Sequence, residues 1–358
     1  MLGGPFCCAL GIATPGVRSG MVDQPHSNPD PSPAPSGEAS GEVFINGQFV
    51  QRSGAMISAF DASVQHGIGL FETMRAGMID APEGENIGVF RLTEHLERLQ
   101  TSARELGLSE RLRIDGLADA IIETVRRSGA LTAPGDSARV RMTITGGDLN
   151  LLAGAGGSGG VSAKPGHQAG VMIVAQPATA YPDEMYTRGV RAGLSDWKTN
   201  AFDPFASHKT IWYWPRLREL QTAAGKGFGE ALVFTGTNHL AGGCVSNAFI
   251  VRDGTLVTPI ARGEESDIGG AGAIPSPVLP GVTRGAMLDW AEDEGLTVER
   301  RMVVVDDVLD ADEVFLTNAS WGVMPVIGVE SKVIAEGTVG PITSRALEWW
   351  RAAVRGEG

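Results

Sequence analysis

Lys209 is the residue whose type and setting most clearly suggest chemistry. It lies in the segment SHKTIWYWP, among aromatic residues and shortly before Pro215. A proline favours the first turn of a helix, so we expect Lys209 just ahead of a helix start. Most lysines in proteins are solvated surface groups. An amine that is held against aromatic, partly desolvated surroundings can instead act as a nucleophile, and we expect that role for Lys209.

Arg98 is a cationic residue on a predicted helix. It follows His95 by three positions, and the apolar residues from 92 to 106 recur every three or four positions, which predicts an amphipathic helix. An arginine on such a helix often lies along the solvated face, so these residues alone assign it no further role.

A candidate place for an anion is the segment that follows Pro280-Gly281. The residues from 282 to 295 predict a helix, and the proline and glycine mark its start. The free N–H groups at a helix start, together with the helix dipole, attract anions. Val282 and Thr283 are therefore candidate phosphate-binding residues.

Sequence motifs for several common chemistries are missing. The six histidines are scattered, and no HxH, HExxH or acidic cluster has the spacing of metal ligands. The chain also lacks the GxSxG of many hydrolases and the GK[ST] of a phosphate-binding loop. Neither a metal site nor a serine nucleophile is therefore expected.

Composition narrows the class of protein. The chain has 358 residues, of which 42% are hydrophobic, and a formal net charge of −13. The hydrophobic share can build a core, which excludes a wholly disordered chain, and the acidic balance argues against nucleic-acid binding. No apolar run reaches the length of about 18 residues that would span a membrane. With three cysteines and no disulfide pattern, we expect a cytoplasmic location.

The pattern along the chain predicts a tail followed by two domains. The Pro/Ser/Gly-rich tail covers 1–41 and is expected to be disordered. The first domain covers 42–178 and includes a Gly-rich, mobile loop at 153–170, and the second covers 179–354. Strands and helices alternate in clumps, which indicates an α+β or mixed α/β fold.

Local patterns predict the main elements. Asn46-Gly47 and Asp253-Gly254 each predict the two-residue turn of a β-hairpin. Helices are predicted over 92–106, 117–127, 282–295 and 342–354. Strands are predicted over 139–145, 171–175, 231–234, 299–305 and 313–317.

Six segments, in a fixed order, resemble the class IV aminotransferases. These pyridoxal-phosphate enzymes include branched-chain and D-amino-acid aminotransferases and aminodeoxychorismate lyase. Each segment alone is a modest match, but six in order, over nearly all of residues 43–328, are hard to obtain by chance. The segments are FINGQFV; DASVQHGIGLFETMRA; FRLTEHLERLQTSARELGL; SHKTIWYW; CVSNAFIVRDGTLVTP with LPGVTRGAML; and DEVFLTNASWGVMPV.

The resemblance implies fold type IV, in which two α/β-type domains hold pyridoxal 5'-phosphate between them, usually in a homodimer. It implies that Lys209 forms the Schiff base with the cofactor aldehyde and then moves the proton at the substrate Cα. Tyr213 would contact the ring hydroxyl, with plain packing in an aromatic cluster as an equal alternative. The other cofactor-binding positions that it implies are Arg98, Ser246, Asn247, Val282, Thr283, Asn318, Ala319 and Ser320.

The turn that binds phosphate in the family is altered in this chain. Ala319 stands where the family has a Ser or Thr whose hydroxyl reaches the phosphate. Because alanine has no hydroxyl, we expect Ser320 or Asn318 to serve instead.

A larger departure is Gly242, in the segment LAGGCVSN. The family has a glutamate there, which pairs with the pyridine nitrogen, keeps the ring protonated and so lets it accept electrons. Glycine supplies no carboxylate. Three consequences are open: another acid such as Glu264 or Glu265 reaches in, the ring is a weaker electron sink, or part of the activity is lost.

Three functions are therefore open from the sequence. The KTxxY spacing and the FLTN turn favour an enzyme like aminodeoxychorismate lyase, which eliminates pyruvate and leaves 4-aminobenzoate for folate. The first alternative is a transaminase of branched-chain or D-amino acids. The second is a degenerate, non-catalytic member of the family, because of Gly242. The partner in either enzyme is a small amino-acid-type substrate, with no role for nucleic acid or membrane.

Overall fold

A computed structural model of the chain describes residues 41–81, 84–109, 112–147, 169–268 and 274–356. The tail predicted over 1–41 and the loop predicted over 153–170 lie almost wholly outside these residues. A helix long and apolar enough to cross a membrane does not occur in the described ranges.

The first sheet is built from residues 42–177 and is antiparallel throughout, in the order β2-β1-β6-β5-β3-β4. The Asn46-Gly47 turn joins its first two strands with φ values of 49° and 91°, which confirms the predicted hairpin. The strands are β1 (Glu42–Ile45), β2 (Gln48–Gln51), β3 (Gly69–Ala81), β4 (Gly84–Val89), β5 (Ser137–Thr145) and β6 (Val171–Pro177).

Helices cover one face of this sheet. They are α2 (Leu92–Glu105) and α3 (Ile114–Ser128), while the short α1 (Ala62–His66) and a 3-10 turn at Arg52–Gly54 precede β3 in the chain. The predicted apolar face of α2 is confirmed, since Leu96 and Leu99 are each 2% exposed and pack with Met74 of β3. Because side chains alternate along a strand, the residues of β3 on either side of Met74 point away from α2. That second face of β3 borders the site described below.

The second sheet is mixed and comes from residues 190–333. Its order is β12-β11-β10-β13-β14-β7-β8-β9, with β15 beside β14. The strands are β7 (Val190–Leu194), β8 (Glu230–Phe234), β9 (Leu240–Gly243), β10 (Asn247–Arg252), β11 (Thr255–Pro259), β12 (Val298–Arg301), β13 (Glu313–Asn318), β14 (Gly322–Val329) and β15 (Lys332–Val333).

The described residues in the second half of the chain form five α-helices. Four of them, α4, α5, α6 and α8, pack against this sheet, and α5 and α6 contribute residues to the site described below. The helices are α4 (Asp183–Thr187), α5 (Trp214–Gly225), α6 (Val282–Asp293), α7 (Val305–Leu309) and α8 (Pro341–Arg355), with a 3-10 turn at Glu265–Ile268.

The predicted elements in this half are present, with one wrong boundary. The Asp253-Gly254 hairpin and the helices at 282 and 342 are confirmed. The strand predicted over 299–305 ends at Arg301, because Asp307 accepts from the Arg301 guanidinium and from the Val304 amide and so starts α7 early. Alternating apolar residues alone did not reveal this ion pair.

The two halves are joined by main-chain pairing at the start of β3. The Phe71 amide donates to the Lys209 carbonyl at 2.9 Å, and the Ile211 amide donates to the Gly69 carbonyl at 3.0 Å. Residues 39–358 form one compact unit. We retain as a proposal that the two sheets are the cores of two domains that divide after residue 178.

Candidate active site

An open cavity lies where the segment around Lys209 meets β3 and the second sheet. Nine of the ten predicted site residues line it, and Ser320 does not. The lining residues are Thr73, His95, Arg98, Ala206, His208, Lys209, Tyr213, Arg216, Ala241, Val245, Ser246, Asn247, Leu279, Gly281, Val282, Thr283, Thr317, Asn318 and Ala319.

Lys209 lies against aromatic rings, as its sequence setting predicts. Its Nζ is 4.5 Å from the centroid of the Phe71 ring and 5.5 Å from that of Tyr213. The two rings meet edge to face, with centroids 5.2 Å apart. The pairing of residues 209–211 with β3 fixes the main chain of the lysine, so the amine reaches the cavity from a rigid base. It is well placed for use as a nucleophile.

Arg98 lies on α2 and faces the cavity, but it is held from behind by a buried carboxylate. Its Nε donates to Glu72 Oε1 at 2.9 Å, and its Nη1 donates to the Pro280 carbonyl at 3.0 Å. His95 Nδ1 lies 2.7 Å from the second oxygen of Glu72. Arg98 therefore joins the first sheet to the segment that precedes α6.

The charge states of this cluster follow from its contacts. Burial would raise the pKa of Glu72, but the charge of Arg98 and the hydrogen bond from His95 lower it to about 2. Burial lowers the pKa of His95, more than Glu72 raises it. A neutral His95 therefore donates its Nδ1–H to the ionised carboxylate. Its Nε2, buried and unpartnered among the described residues, is left as an acceptor beside the cavity.

The start of α6 forms the anion site predicted from Pro280-Gly281. Gly281 is the N-cap residue and no side chain caps the helix, so its first N–H groups face the cavity beside Val282 and Thr283. The Asn247 side chain donates to the Leu279 carbonyl at 2.9 Å and holds this turn in place. Asn247 is thus a support of the helix start as well as a lining residue.

The turn after β13 supplies a different hydroxyl from the one expected. Asn318 Oδ1 accepts from the Ser320 and Trp321 amides, so its side chain closes the turn. The Ser320 carbonyl accepts from Arg75, and its side chain is not part of the cavity lining. Thr317, the residue before Asn318 in β13, lines the cavity with a buried hydroxyl that has no partner in the described ranges. That hydroxyl fits a phosphate better than Ser320 does.

Ala241 and the residues from Val245 to Asn247 form another wall of the cavity, with Gly242 next to Ala241 in the chain. Gly242 has a φ of +128°, and a Cβ there would lie 2.6 Å from the Ser246 carbonyl oxygen. Behind this wall, Glu230 accepts from the amides of Cys244 and Val245 and from the Ser246 hydroxyl. Burial raises the pKa of Glu230 despite these hydrogen bonds.

Glu264 and Glu265 do not replace the missing glutamate. Glu264 forms a two-point ion pair with Arg284, and Glu265 accepts from the amides of Gly263 and Ser276. Both carboxylates are thus used to hold their own loop. The expectation that one of them reaches the cofactor ring is wrong.

Several lining residues were not found from the sequence. His208, beside Lys209, contacts Ser102 through Nδ1, and burial lowers its pKa. Arg216 lies on the first turn of α5, three positions after Tyr213, so helical spacing from Pro215 could have found it. Thr317 and Thr73 carried no sequence signal, because threonines in strands are common. The described residues contain no cluster of His, Cys, Asp and Glu suited to a metal.

Comparisons with known proteins agree with this site. The chain is 28% identical to the branched-chain-amino-acid aminotransferase of Salmonella typhimurium over 318 residues, which cover 88% of this chain and 93% of that protein. The crystal structure of the Escherichia coli branched-chain amino acid aminotransferase matches with a TM-score of 0.74 and 27% identity, over 89% of this chain and 96% of that one.

A further solved structure, the T.th. branched-chain amino acid aminotransferase with pyridoxamine 5'-phosphate, matches with a TM-score of 0.71. It is 29% identical, and the match covers 89% of this chain and 95% of that one. The family model described as amino-transferase class IV matches residues 69–329, which include Lys209, the start of α6 and the turn after β13. The chain therefore belongs to the class IV aminotransferases and has their mixed α/β, type IV fold.

Proposed function

We propose that this chain is a transaminase that moves the amino group of a branched-chain amino acid to a 2-keto acid. As a class IV aminotransferase it is an enzyme that uses pyridoxal 5'-phosphate. The observation that carries the proposal is the cavity itself, which combines the Lys209 amine with an anion site at the start of α6. The relatives favour this reaction over the lyase reaction that we expected first.

The described residues fit the cofactor. Pyridoxal phosphate supplies an aldehyde that takes up amines and a ring that draws electrons from the substrate Cα. The N–H groups at the start of α6, the Thr317 hydroxyl and Arg98 would hold the phosphate. Lys209 would bind the aldehyde carbon until the substrate amine replaces it there, and its freed amine would then carry the proton from the substrate Cα to that aldehyde carbon.

Positive charge on the neighbouring sheet face suits a carboxylate-bearing substrate. Thr73 of β3 lines the cavity, and its cross-strand partner is Arg141, with Arg75 and Arg139 paired next to them. None of the three arginines pairs with a carboxylate in the part of the chain that is described. Burial lowers the pKa of Arg75 and of Arg141, but both groups stay charged at neutral pH. Amino and keto acids carry the complementary charge.

We include a homodimer and a cytoplasmic location in the proposal. Large apolar side chains are exposed on the segments just before β3 and on both sides of Lys209, which favours a second copy of the chain as their cover. Cys244 is buried and free, which suits a reducing compartment.

The test offers the purified enzyme leucine, isoleucine, valine or D-alanine with 2-oxoglutarate and measures glutamate. Glutamate formed from the three branched-chain amino acids supports the proposal. Release of pyruvate and 4-aminobenzoate from aminodeoxychorismate, without amino transfer, would identify the lyase instead. No reaction with either, at saturating cofactor, would favour the non-catalytic alternative that Gly242 raised.

Lys209→Ala is expected to lower the rate of amino transfer at least about 100-fold, because the variant lacks the proton carrier. It should also lose the absorbance of the bound cofactor that borohydride removes. Lys226→Ala, an exposed lysine at the end of α5, is the matched control and should behave as the wild type. A Lys209→Ala protein that still binds the cofactor covalently would contradict the assignment.

A further inference from the structure

The wall of the cavity at Gly242 has no acid to offer a cofactor ring. No Asp or Glu is among the described lining residues. Glu230 lies behind the wall, where the Ser246 hydroxyl and three amides occupy its oxygens. Glu219 is likewise buried, and it accepts from Ser195 and from the Asp196 amide. Both carboxylates accept their hydrogen bonds from the protein itself and do not line the cavity.

Backbone geometry keeps this wall as it is. The φ of Gly242 lies in the left-handed region, and a side chain there would meet the Ser246 carbonyl. A carboxylate therefore cannot be restored at this position without moving the main chain of the wall.

Arg216 is the charged side chain at this wall. Its Nη1 lies 3.4 Å from the Gly243 carbonyl and 3.3 Å from the Cys244 carbonyl, and it donates to both. The guanidinium carbon is 5.5 Å from the centroid of the Trp197 ring and 5.8 Å from that of Tyr213, so the group is held between aromatic rings. It has no carboxylate partner among the described residues, and its other N–H groups are available to a ligand in the cavity.

We propose that Arg216 faces the ring nitrogen of the bound cofactor, in place of the glutamate that the family has at Gly242. A guanidinium is always charged, so a second positive charge on the adjacent pyridine nitrogen is disfavoured. Arg216 instead donates an N–H to the lone pair of that nitrogen. The ring is then bound unprotonated and withdraws electrons from the substrate Cα less strongly than a protonated ring.

The experiment uses the holoenzyme reconstituted with pyridoxal phosphate labelled with ¹⁵N in the ring. The ¹⁵N chemical shift distinguishes a protonated pyridine nitrogen from an unprotonated one, independently of activity. The wild type is expected to show the unprotonated shift throughout pH 6 to 9. Arg216→Glu should move the signal to the protonated shift, while Arg218→Glu, an exposed arginine on the same helix, should leave it unchanged.

A protonated shift in the wild type would overturn the proposal, and so would an Arg216→Glu signal equal to that of the wild type. If Arg216→Glu does not bind the cofactor, Arg216→Gln decides the question. A signal that titrates between pH 6 and 9 in that variant supports the proposal, and one that stays unprotonated throughout overturns it. Amino transfer measured on the same samples separates this inference from the proposed function, because an active wild type with a protonated nitrogen contradicts only the former.

Discussion

At the scale of single residues, the arginines at and beside the cavity differ in whether a carboxylate neutralises their charge. Glu72 is 1% exposed and holds both Arg98 and His95, so the negative charge of the cluster points away from the cavity and a guanidinium faces it. By contrast, four other arginines have no carboxylate partner in the described ranges. They are Arg216 and, beside Thr73, Arg75, Arg139 and Arg141. The cavity is therefore lined by donors and cations, which suits a phosphate and a carboxylate together.

Glu72→Gln is expected to lower the free energy of unfolding by about 3–5 kcal/mol at pH 7, because Arg98 would be left buried without its counter-charge. Urea unfolding measures this loss. The pKa of Glu72 falls from 4.5 in its ordinary state to about 2 in the folded protein. Its contribution is thus complete above pH 4.5 and is lost as the pH falls through 2.

The difference between wild type and Glu72→Gln should therefore shrink on acidification. Glu123→Gln, which removes an exposed carboxylate from α3, is the control and should unfold like the wild type at pH 7. Equal unfolding curves for Glu72→Gln and the wild type at pH 7 would show that the cluster has no role in stability.

At the scale of elements, the start of α6 is built by a close approach of two segments. Gly281 has a φ of −68°, which any residue can adopt, but a Cβ there would lie only 1.9 Å from Asn247 Oδ1. Glycine is thus required by the neighbouring amide and not by the backbone angle. Because Asn247 also holds the Leu279 carbonyl, the two contacts together aim the first N–H groups of α6 into the cavity.

Gly281→Ala is expected to weaken binding of pyridoxal phosphate about tenfold or more, because the displaced helix start loses a charge-assisted hydrogen bond worth about 1.5 kcal/mol or more. Fluorescence titration of the cofactor-free protein measures the dissociation constant. Gly285→Ala lies on the same helix with nothing within 4 Å of the added Cβ, so it should bind as the wild type does. The same affinity in both variants would argue against α6 as the phosphate site.

At the scale of the whole molecule, exposed apolar side chains flank the pairing between β3 and residues 209–211. Phe60 is 70% exposed on the approach to β3, and Phe202 and Trp214 are 70% and 75% exposed on either side of Lys209. Scattered exposed apolar residues need no explanation, but several beside one junction support the proposed contact with a second copy of the chain. The site of the enzyme would then lie close to the contact between two copies.

The double variant Phe202→Glu with Trp214→Glu is expected to convert a dimer into a monomer, because the charges would be buried at the contact without partners. Size-exclusion chromatography with light scattering measures the mass. Val333→Glu changes an apolar residue of β15 that is 46% exposed, far along the chain from this surface, and should leave the dimer intact. A monomeric wild type would rule out the interface.

Much of this molecule follows from local sequence. The Asn46-Gly47 and Asp253-Gly254 turns, the apolar face of α2 and the start of α6 all depend on residues within one or two turns of each other. The family resemblance could also be recognised from the sequence, because its motifs are short and occur in a fixed order along the chain. The sequence alone also shows that position 242 is a glycine and not the glutamate of the family.

Only the tertiary structure decided which partner each of the charged side chains at and near the cavity contacts. Glu72 lies behind Arg98, Glu264 is bound by Arg284, and Arg216 reaches the wall at Gly242. These pairs are up to 27 positions apart in sequence and depend on how strands, loops and helices pack, which no local pattern encodes. The sequence therefore determined that the usual ring partner is missing, and the packing of α5 against the second sheet decided that the Arg216 guanidinium lies beside the segment where that partner would be.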